Sequence, residues 1–369
     1  MKINLIFFIS EFGLGGAGNS IFKLCKNLST DKLSKYKYRI SIICLNKCYY
    51  KDQLNSMGIK VFEVKSKRTA VAMIKIRKIT VKLLRSNYKN IFASNIYYSN
   101  ILSVFFLRNL NMKMILIERT PHQELSIYYN FFDFVKKNFL KTLIKITFYK
   151  ANECVSNSKY ISNEYNRIYS LNFKTIYPPS FDGRIFKKSL KSTKNKIYFG
   201  TICRLSREKN LSSLIKVLSN FKNKFFLEII GDGPEKQKLI SLRKKLHLEK
   251  QIKFTGKISP DKIKTYYKKF DIYLNSSDFE GFPNTVVEAL SHNIPVIASQ
   301  SYGGINEILK GKKFGYIYKN QYELKNILNK IISKKIKFTF NQTQLFKHLN
   351  QFSEINNLKK YKNLFRHIK

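Results

Sequence analysis

The stretch Asp271 to Ser299 reads D-I-Y-L-N-S-S-D-F-E-G-F-P-N-T-V-V-E-A-L-S-H-N-I-P-V-I-A-S. An apolar run ending at Ser276, a turn with Gly281, a segment with Val286, Val287 and Leu290 at helical spacing and a second apolar run, Pro295 to Ala298, spell strand, turn, helix, strand. Two strands joined through a helix lie parallel, and this unit repeated gives a doubly wound α/β sheet. Pro283 sits where proline is favoured in the first turn of a helix, and Gly281 frees the backbone before it. The free N–H groups around Pro283-Asn284-Thr285 suit an anion. Glu280 in the turn and Glu288 on the second helical turn flank that point. A glutamate accepting hydrogen bonds from paired hydroxyls is a way to hold a ribose or hexose. A capping residue and a solvated helix face are the plainer readings of the same pair.

Upstream, T-I-C-R-L-S-R-E-K-N, Thr201 to Asn210, follows another apolar run and leads into a helix over Leu211 to Leu218. Arg204 offers a bidentate bond to phosphate and Lys209 a compact charge, a pair suited to a diphosphate, though surface lysine and arginine are common in so basic a chain. A third loop, I-I-G-D-G-P-E, Ile229 to Glu235, puts Gly231 and Gly233 at the end of the next strand. Strands are predicted at 196–202, 225–231, 252–255, 272–275 and 295–298, each followed by turn chemistry and a helix.

The first half carries the same alternation. Strands are predicted at 2–9, 39–45, 61–64, 91–94 and 113–117, with helices over about 19–28 and 70–86. Between the halves lie I-Y-P-P-S-F-D-G-R-I-F, Ile176 to Phe186, and K-K-S-L-K-S-T-K-N-K, the strongest linker signal in the chain. The expectation is therefore two doubly wound domains, 1–178 and 196–340, joined by a linker over 179–195, with a cleft at the carboxyl ends of both sheets. A helical segment, 341–369, follows, its return to the first domain left open.

Phe8 to Ser20, F-I-S-E-F-G-L-G-G-A-G-N-S, contains G-x-G-x-x-G through Gly13, Gly15 and Gly18. A redox dinucleotide would need the first glycine directly after the strand and an acid at the end of the second strand to hold the ribose. Ser10, Glu11 and Phe12 intervene, and the second strand runs into Leu45-Asn46-Lys47 with no acid before Asp52. The loop keeps a phosphate-facing role and loses the nicotinamide or flavin.

At 369 residues the chain is long enough for two domains with cores of their own. No apolar run reaches the length of a membrane span, and the first residues lack a basic n-region and cleavage site, so a cytoplasmic chain starting near Met1 is expected. Five cysteines without a C-x-x-C pair support neither a disulfide framework nor a zinc site. A net charge of +46 invites an anionic partner. The lysines are spread along the whole chain, however, as AT-rich coding would spread them.

R-L-x-x-x-K-N, G-D-G-P, F-T-G, E-G-F-P-N-x-x-x-E-A, P-V-I-A-S and G-G-x-x-E-I, Gly303 to Ile308, together resemble glycosyltransferase family 4, the retaining nucleotide-sugar transferases of GT-B fold. The likeness is dense from about Lys196 to Tyr318 and thinner in the first half. It implies a nucleotide-sugar donor site in the second domain, with a UDP-sugar as the expected donor. Arg204 and Lys209 match the pair that binds the donor diphosphate, Glu288 the glutamate on the ribose hydroxyls and Glu280 the one beside the donor sugar. Gly281, Phe282, Pro283, Asn284 and Thr285 surround sugar and phosphates. Gly231 and Gly233 lie on the loop facing the same site, Thr255 and Gly256 fall near the base, and Gly15 and Gly16 match the loop against donor phosphate and acceptor. Many relatives carry a histidine straight after the fifth strand, where this chain has Glu118-Arg119. His122, three places on, and Arg119 are the competing candidates on the acceptor side.

No D-x-D occurs, and Asp278-Phe279-Glu280 is only D-x-E, so no metal is expected; positive groups and a helix N-terminus would stabilise the leaving group. In F-F-D-F-V-K-K-N-F-L-K-T-L-I-K-I-T-F-Y-K, Phe131 to Lys150, phenylalanines and aliphatics recur among lysines. They suit either an ordinary core-facing helix or one lying in an anionic membrane surface. With the resemblance, this implies a lipid-linked or lipopolysaccharide glycan acceptor at the inner face of the cell membrane. The rivals are a GT-B-shaped nucleotide-sugar epimerase, against which E-x7-E and R-x4-K argue, and a nucleic-acid-binding protein, for which no module appears.

Overall fold

The computed structural model describes residues 2–31, 36–186, 196–311, 313–335, 338 and 341–369. It divides into two units, Met1–Pro179 with Glu354–Lys369, and Ser180–Ser353.

In the first unit strands and helices alternate: β1 (Lys2–Ile9), α1 (Gly16–Thr30), β2 (Lys37–Cys44), α2 (Lys51–Ser56), β3 (Lys60–Glu63), α3 (Thr69–Leu83), β4 (Lys89–Asn95), α4 (Tyr97–Leu107), β5 (Lys113–Glu118), α5 (Phe131–Thr147), β6 (Glu153–Ser156), α6 (Lys159–Tyr169) and β7 (Phe173–Thr175). The seven strands form one parallel sheet in the order β3-β2-β1-β4-β5-β6-β7. β1 is buried from Ile3 to Ile9 without alternation, because helices cover both faces. One face packs Phe7, Ile9, Ile21 and Leu24, the other Ile6, Phe8, Met73 and Ile76.

The second unit follows the same rule with β8 (Ile197–Ile202), α7 (Leu211–Leu218), β9 (Phe225–Ile230), α8 (Lys236–Lys245), β10 (Ile252–Gly256), α9 (Pro260–Tyr267), β11 (Ile272–Asn275), β12 (Phe279–Glu280), α10 (Asn284–Ser291), β13 (Val296–Ser299), β14 (Tyr302–Gly303), α11 (Ile305–Leu309), β15 (Gly315–Tyr318), α12 (Gln321–Ile332) and α13 (Gln342–Leu349). Its parallel sheet has the order β10-β9-β8-β11-β13-β15, with β12 and β14 as a separate two-stranded piece. The order reverses between β8 and β11, and between β1 and β4 in the first unit. Loops leaving adjacent strands at such a point part to opposite faces and open a crevice.

The final helix, α14 (Glu354–His367), belongs to the first unit, where it buries Tyr361, Leu364 and Phe365 and meets α1 through Lys23–Glu354 and Lys362–Asp31 ion pairs. Of the expected linker, 187–195 lies outside the described residues. Ser180 and Phe181 donate their N–H groups to Phe352 O at 3.0 and 3.1 Å, and Phe186 stacks on His292, so this part is packed onto the second unit instead of hanging as a tether.

Candidate active site

The loops after β8 and β9 are fastened together by backbone hydrogen bonds. Cys203 N donates to Ile230 O, Leu205 N to Asp232 O and Glu235 N to Leu205 O, at 3.0, 3.0 and 2.9 Å. This closeness demands the glycines: a Cβ on Gly231 would lie 1.8 Å from Cys203 O, at a φ of +137°, and one on Gly233 2.4 Å from Leu205 O. Gly231 and Gly233 therefore act by letting two loops touch, and the exposed Arg204 is carried on the result. The Thr255 hydroxyl, expected near a base, donates to the buried Glu228 at 2.6 Å. Gly256 ends β10 at a bulge, with φ +81°, and accepts Gly231 N–H.

Lys209 closes a 3-10 turn at Arg207–Lys209, and its main chain is held to the end of β11 by Ser276 Oγ donating to Lys209 O at 2.7 Å. That bond aims the side chain at Glu280, 3.0 Å from Nζ to Oε1. The other carboxylate oxygen of Glu280 accepts from Ser277 Oγ at 3.1 Å and Asn275 Nδ2 at 3.4 Å. Burial pulls the Lys209 pKa down, but Glu280, Cys203 and Glu208 outweigh it, and the ammonium stands above its ordinary value. The main chain of Glu280 is fixed from the other side, in β12, by Gly303: a Cβ there would sit 1.8 Å from Glu280 O.

Pro283 is the residue just before α10, which starts at Asn284; having no N–H itself, it leaves the orphan donors of the first turn on Asn284 and the residues after it. Asn284 Oδ1 accepts from Ser180 Oγ at 2.8 Å and Thr285 Oγ1 from Tyr273 Oη at 2.8 Å, so these side chains set the helix in place. Phe282 is buried edge-on against Phe352 at 5.1 Å and anchors the turn, Gly281 giving its carbonyl to Gly304 N–H at 3.0 Å. Glu288 accepts from Tyr267 Oη at 2.9 Å. Burial and the Glu288 charge push the Tyr267 phenol well above its ordinary pKa, so it remains a donor.

In the first unit Gly15 and Gly16 are exposed at the start of α1, Gly15 in extended conformation before the first turn. A Cβ on Gly15 meets nothing within 4 Å, whereas one on Gly18 would lie 2.3 Å from Gly13 O. The loop thus folds back on its third glycine and offers the second to solvent. Glu118, at the end of β5, is fully buried and accepts the N–H groups of Arg119 and Thr120 at 2.9 and 3.1 Å. Burial lifts its carboxyl to about 8. Arg119 donates Nε to Asn95 Oδ1 at 3.2 Å and borders a small cavity with Ser20, Asn157 and Tyr361. His122 is turned elsewhere: its Nε2 lies 2.9 Å from Tyr169 Oη, its ring packs edge-on to Tyr165 and Tyr169, and burial lowers its pKa to about 4. Its place is that of a packed loop histidine.

Residues 182–354 match the family described as glycosyl transferases group 1. An uncharacterized glycosyltransferase of Haemophilus influenzae is 25% identical over 328 residues, 84% of each chain. The second unit is a group 1 glycosyl transferase domain. Its fold is that of GT-B glycosyltransferases: HepE of Anabaena in complex with UDP superposes with a TM-score of 0.74 at 18% identity, covering 99% of this chain and 100% of that one. The lipopolysaccharide outer core galactosyltransferase WaaB in its apo form gives 0.73 at 20% identity, covering 98% of each.

In this group 1 glycosyl transferase domain the geometry is compact: Arg204, Lys209, Glu280, Glu288 and the start of α10 all leave the strands of one sheet at its switch point. Tyr267, Tyr273, Asn275 and Ser277 were missed in the sequence. Asn275 and Ser277 stand in the visible polar run L-N-S-S-D. Tyr267 gave no signal, because it reaches Glu288 from 21 residues upstream only through the packing of α9 on α10. Among the described residues no group of three His, Cys, Asp or Glu side chains is placed to hold a metal ion.

Proposed function

We propose that this glycosyl transferase is a family 4 enzyme that moves a hexose or N-acetylhexosamine from a UDP-sugar, with retention and without a metal, to a lipid-linked or lipopolysaccharide or capsule glycan at the inner face of an anionic cell membrane. The Lys209–Glu280 pair carries the reading. A lysine whose charge is secured by a carboxylate, Glu280, that itself stands four residues before the start of α10 puts one cation and several N–H donors where a diphosphate and its sugar would meet. In this reading the bond from the anomeric carbon to the diphosphate breaks, negative charge collects on the departing UDP, and Arg204, Lys209 and the start of α10 stabilise it. Glu288, with Tyr267 on one oxygen, accepts from the ribose hydroxyls, and Glu280 faces the sugar. Arg119 serves the acceptor side. The UDP held by HepE and the lipopolysaccharide named for WaaB support the choice of donor and acceptor class.

The test is release of free UDP from a panel of UDP-sugars, with and without a lipid-linked acceptor, in EDTA. Acceptor-dependent release in EDTA is expected. Strict dependence on a divalent ion overturns the metal-free part, and acceptor-independent conversion of the UDP-sugar would make the chain an epimerase.

A further inference from the structure

Helix α5 is built as if it had two apolar faces. Its inward face is short: Leu140, Ile144 and Thr147 are buried, all in the second half of the helix, and none of residues 131–139 is. With about 100° per residue, those three lie on one side, and Phe131, Phe132, Val135, Phe139 and Ile146 form a second stripe centred about 130° round the helix from it. The stripe is bare, with Phe131 80%, Phe132 77% and Phe139 62% exposed. Nine of the twenty large apolar side chains exposed among the described residues fall between Tyr128 and Tyr149. A helix end is costly to leave this way in water, and Asn130, which caps α5 by accepting Asp133 N–H at 2.7 Å, keeps it helical.

Charge decides what covers it. Lys136 and Lys145 flank the stripe, exposed, and Lys150 follows just beyond the helix. The one acid of α5, Asp133, is already paired with Lys137 at 2.9 Å. A second copy of so basic a chain would bring lysines against lysines, whereas an anionic lipid surface neutralises them and takes the phenylalanines below its headgroups. We propose that the N-terminal half of α5 is a membrane-docking element, inserting Phe131, Phe132, Val135 and Phe139 into the interface of an anionic phospholipid bilayer with Lys136, Lys145 and Lys150 at the phosphates. This gives a physical anchor to the membrane-borne acceptor on which it rests for its purpose.

The chain has no tryptophan, so Phe132→Trp is a single reporter in the full-length protein. With vesicles of phosphatidylcholine containing about a third phosphatidylglycerol, its emission is expected to move to the blue and to be quenched by brominated acyl chains; neither is expected with phosphatidylcholine alone. In co-sedimentation, Phe131→Ser with Phe132→Ser lowers the partition coefficient by roughly a hundredfold, with the melting temperature unchanged because both rings are exposed. Unshifted emission, or vesicle binding that survives the double substitution, overturns the proposal. So does a dimer in sedimentation velocity that the double substitution makes monomeric, which would assign the stripe to a second copy. Vesicle binding needs neither donor nor acceptor, and UDP release with a water-soluble acceptor needs no membrane, so the two readings fail separately.

Discussion

At the switch point of the second unit three loops are tied to one another, Cys203 to Ile230, Lys209 to Ser276 and Glu280 to Gly303, and Lys209, Glu280 and Glu288 have their partners before any ligand arrives. At the same place in the first unit Gly15 and Gly16 stand exposed at the start of α1, Arg119 donates to Asn95, and His122 is folded away against Tyr169. The contrast fits a division of labour. A constant portion of a substrate is best met by a preorganised set of groups, since ordering them at binding would cost affinity. A variable partner is better met by bare backbone and one long cation.

The comparison breaks or sharpens at four points. The largest expected effect is Lys209→Ala, which should lower kcat/KM by roughly a thousandfold, measured with the donor at saturation and below it. An unchanged kcat would show that Arg204 and the helix suffice. Next, the two glycine loops should differ in kind: Gly231→Ala, forced to φ +137° against Cys203 O, should cost about 3 kcal/mol in chemical denaturation. Gly15→Ala, with open space around it, should stay within about 0.5 kcal/mol. Equal losses would mean that both loops are fastened alike.

The third point sets Arg119 against His122. Arg119→Ala should lower kcat by about a hundredfold with UDP affinity retained, while His122→Ala should leave kcat within a few-fold. His122 should instead appear in stability. With its folded pKa lowered to about 4 from the ordinary 6.5, the unfolded chain takes up a proton in that window and the folded one does not. Its contribution is whole above pH 6.5 and is lost as pH falls toward 4, and His122→Ala should flatten that part of the urea-midpoint profile. The smallest effect is Tyr267→Phe, which should weaken donor binding about fivefold, the worth of one hydrogen bond to Glu288, with kcat nearly unchanged.

Much of this was legible in the sequence. Period and punctuation placed β1 and β11 to the residue, and proline and glycine around Phe282 marked the start of α10 to within one position. The short strands β6, β7 and β15 were not seen, since E-C-V-S, F-K-T and G-Y-I-Y are too brief to show a period and are recruited by a sheet that already exists. The charged members of the candidate site were legible because a basic and an acidic residue at loop ends stand out. Their supports were not: the Thr255 hydroxyl turns to Glu228 and His122 to Tyr169 for reasons of packing among residues far apart in the chain. Nor could the pattern of Phe131 to Lys150 say which of its apolar faces would remain bare.

Helix α14 has a consequence for how the molecule is made. With Ile368 just after it, its side chains complete a core whose other members lie in the first 179 residues, yet a ribosome delivers it after every residue of the second unit. During synthesis the second unit can fold as a continuous piece, while the first must wait with the seat of Tyr361, Leu364 and Phe365 uncovered, an opening for chaperones or proteases. A shortened chain that stops before Glu354 would keep every candidate donor-site residue and still be recognised by the cell as unfinished.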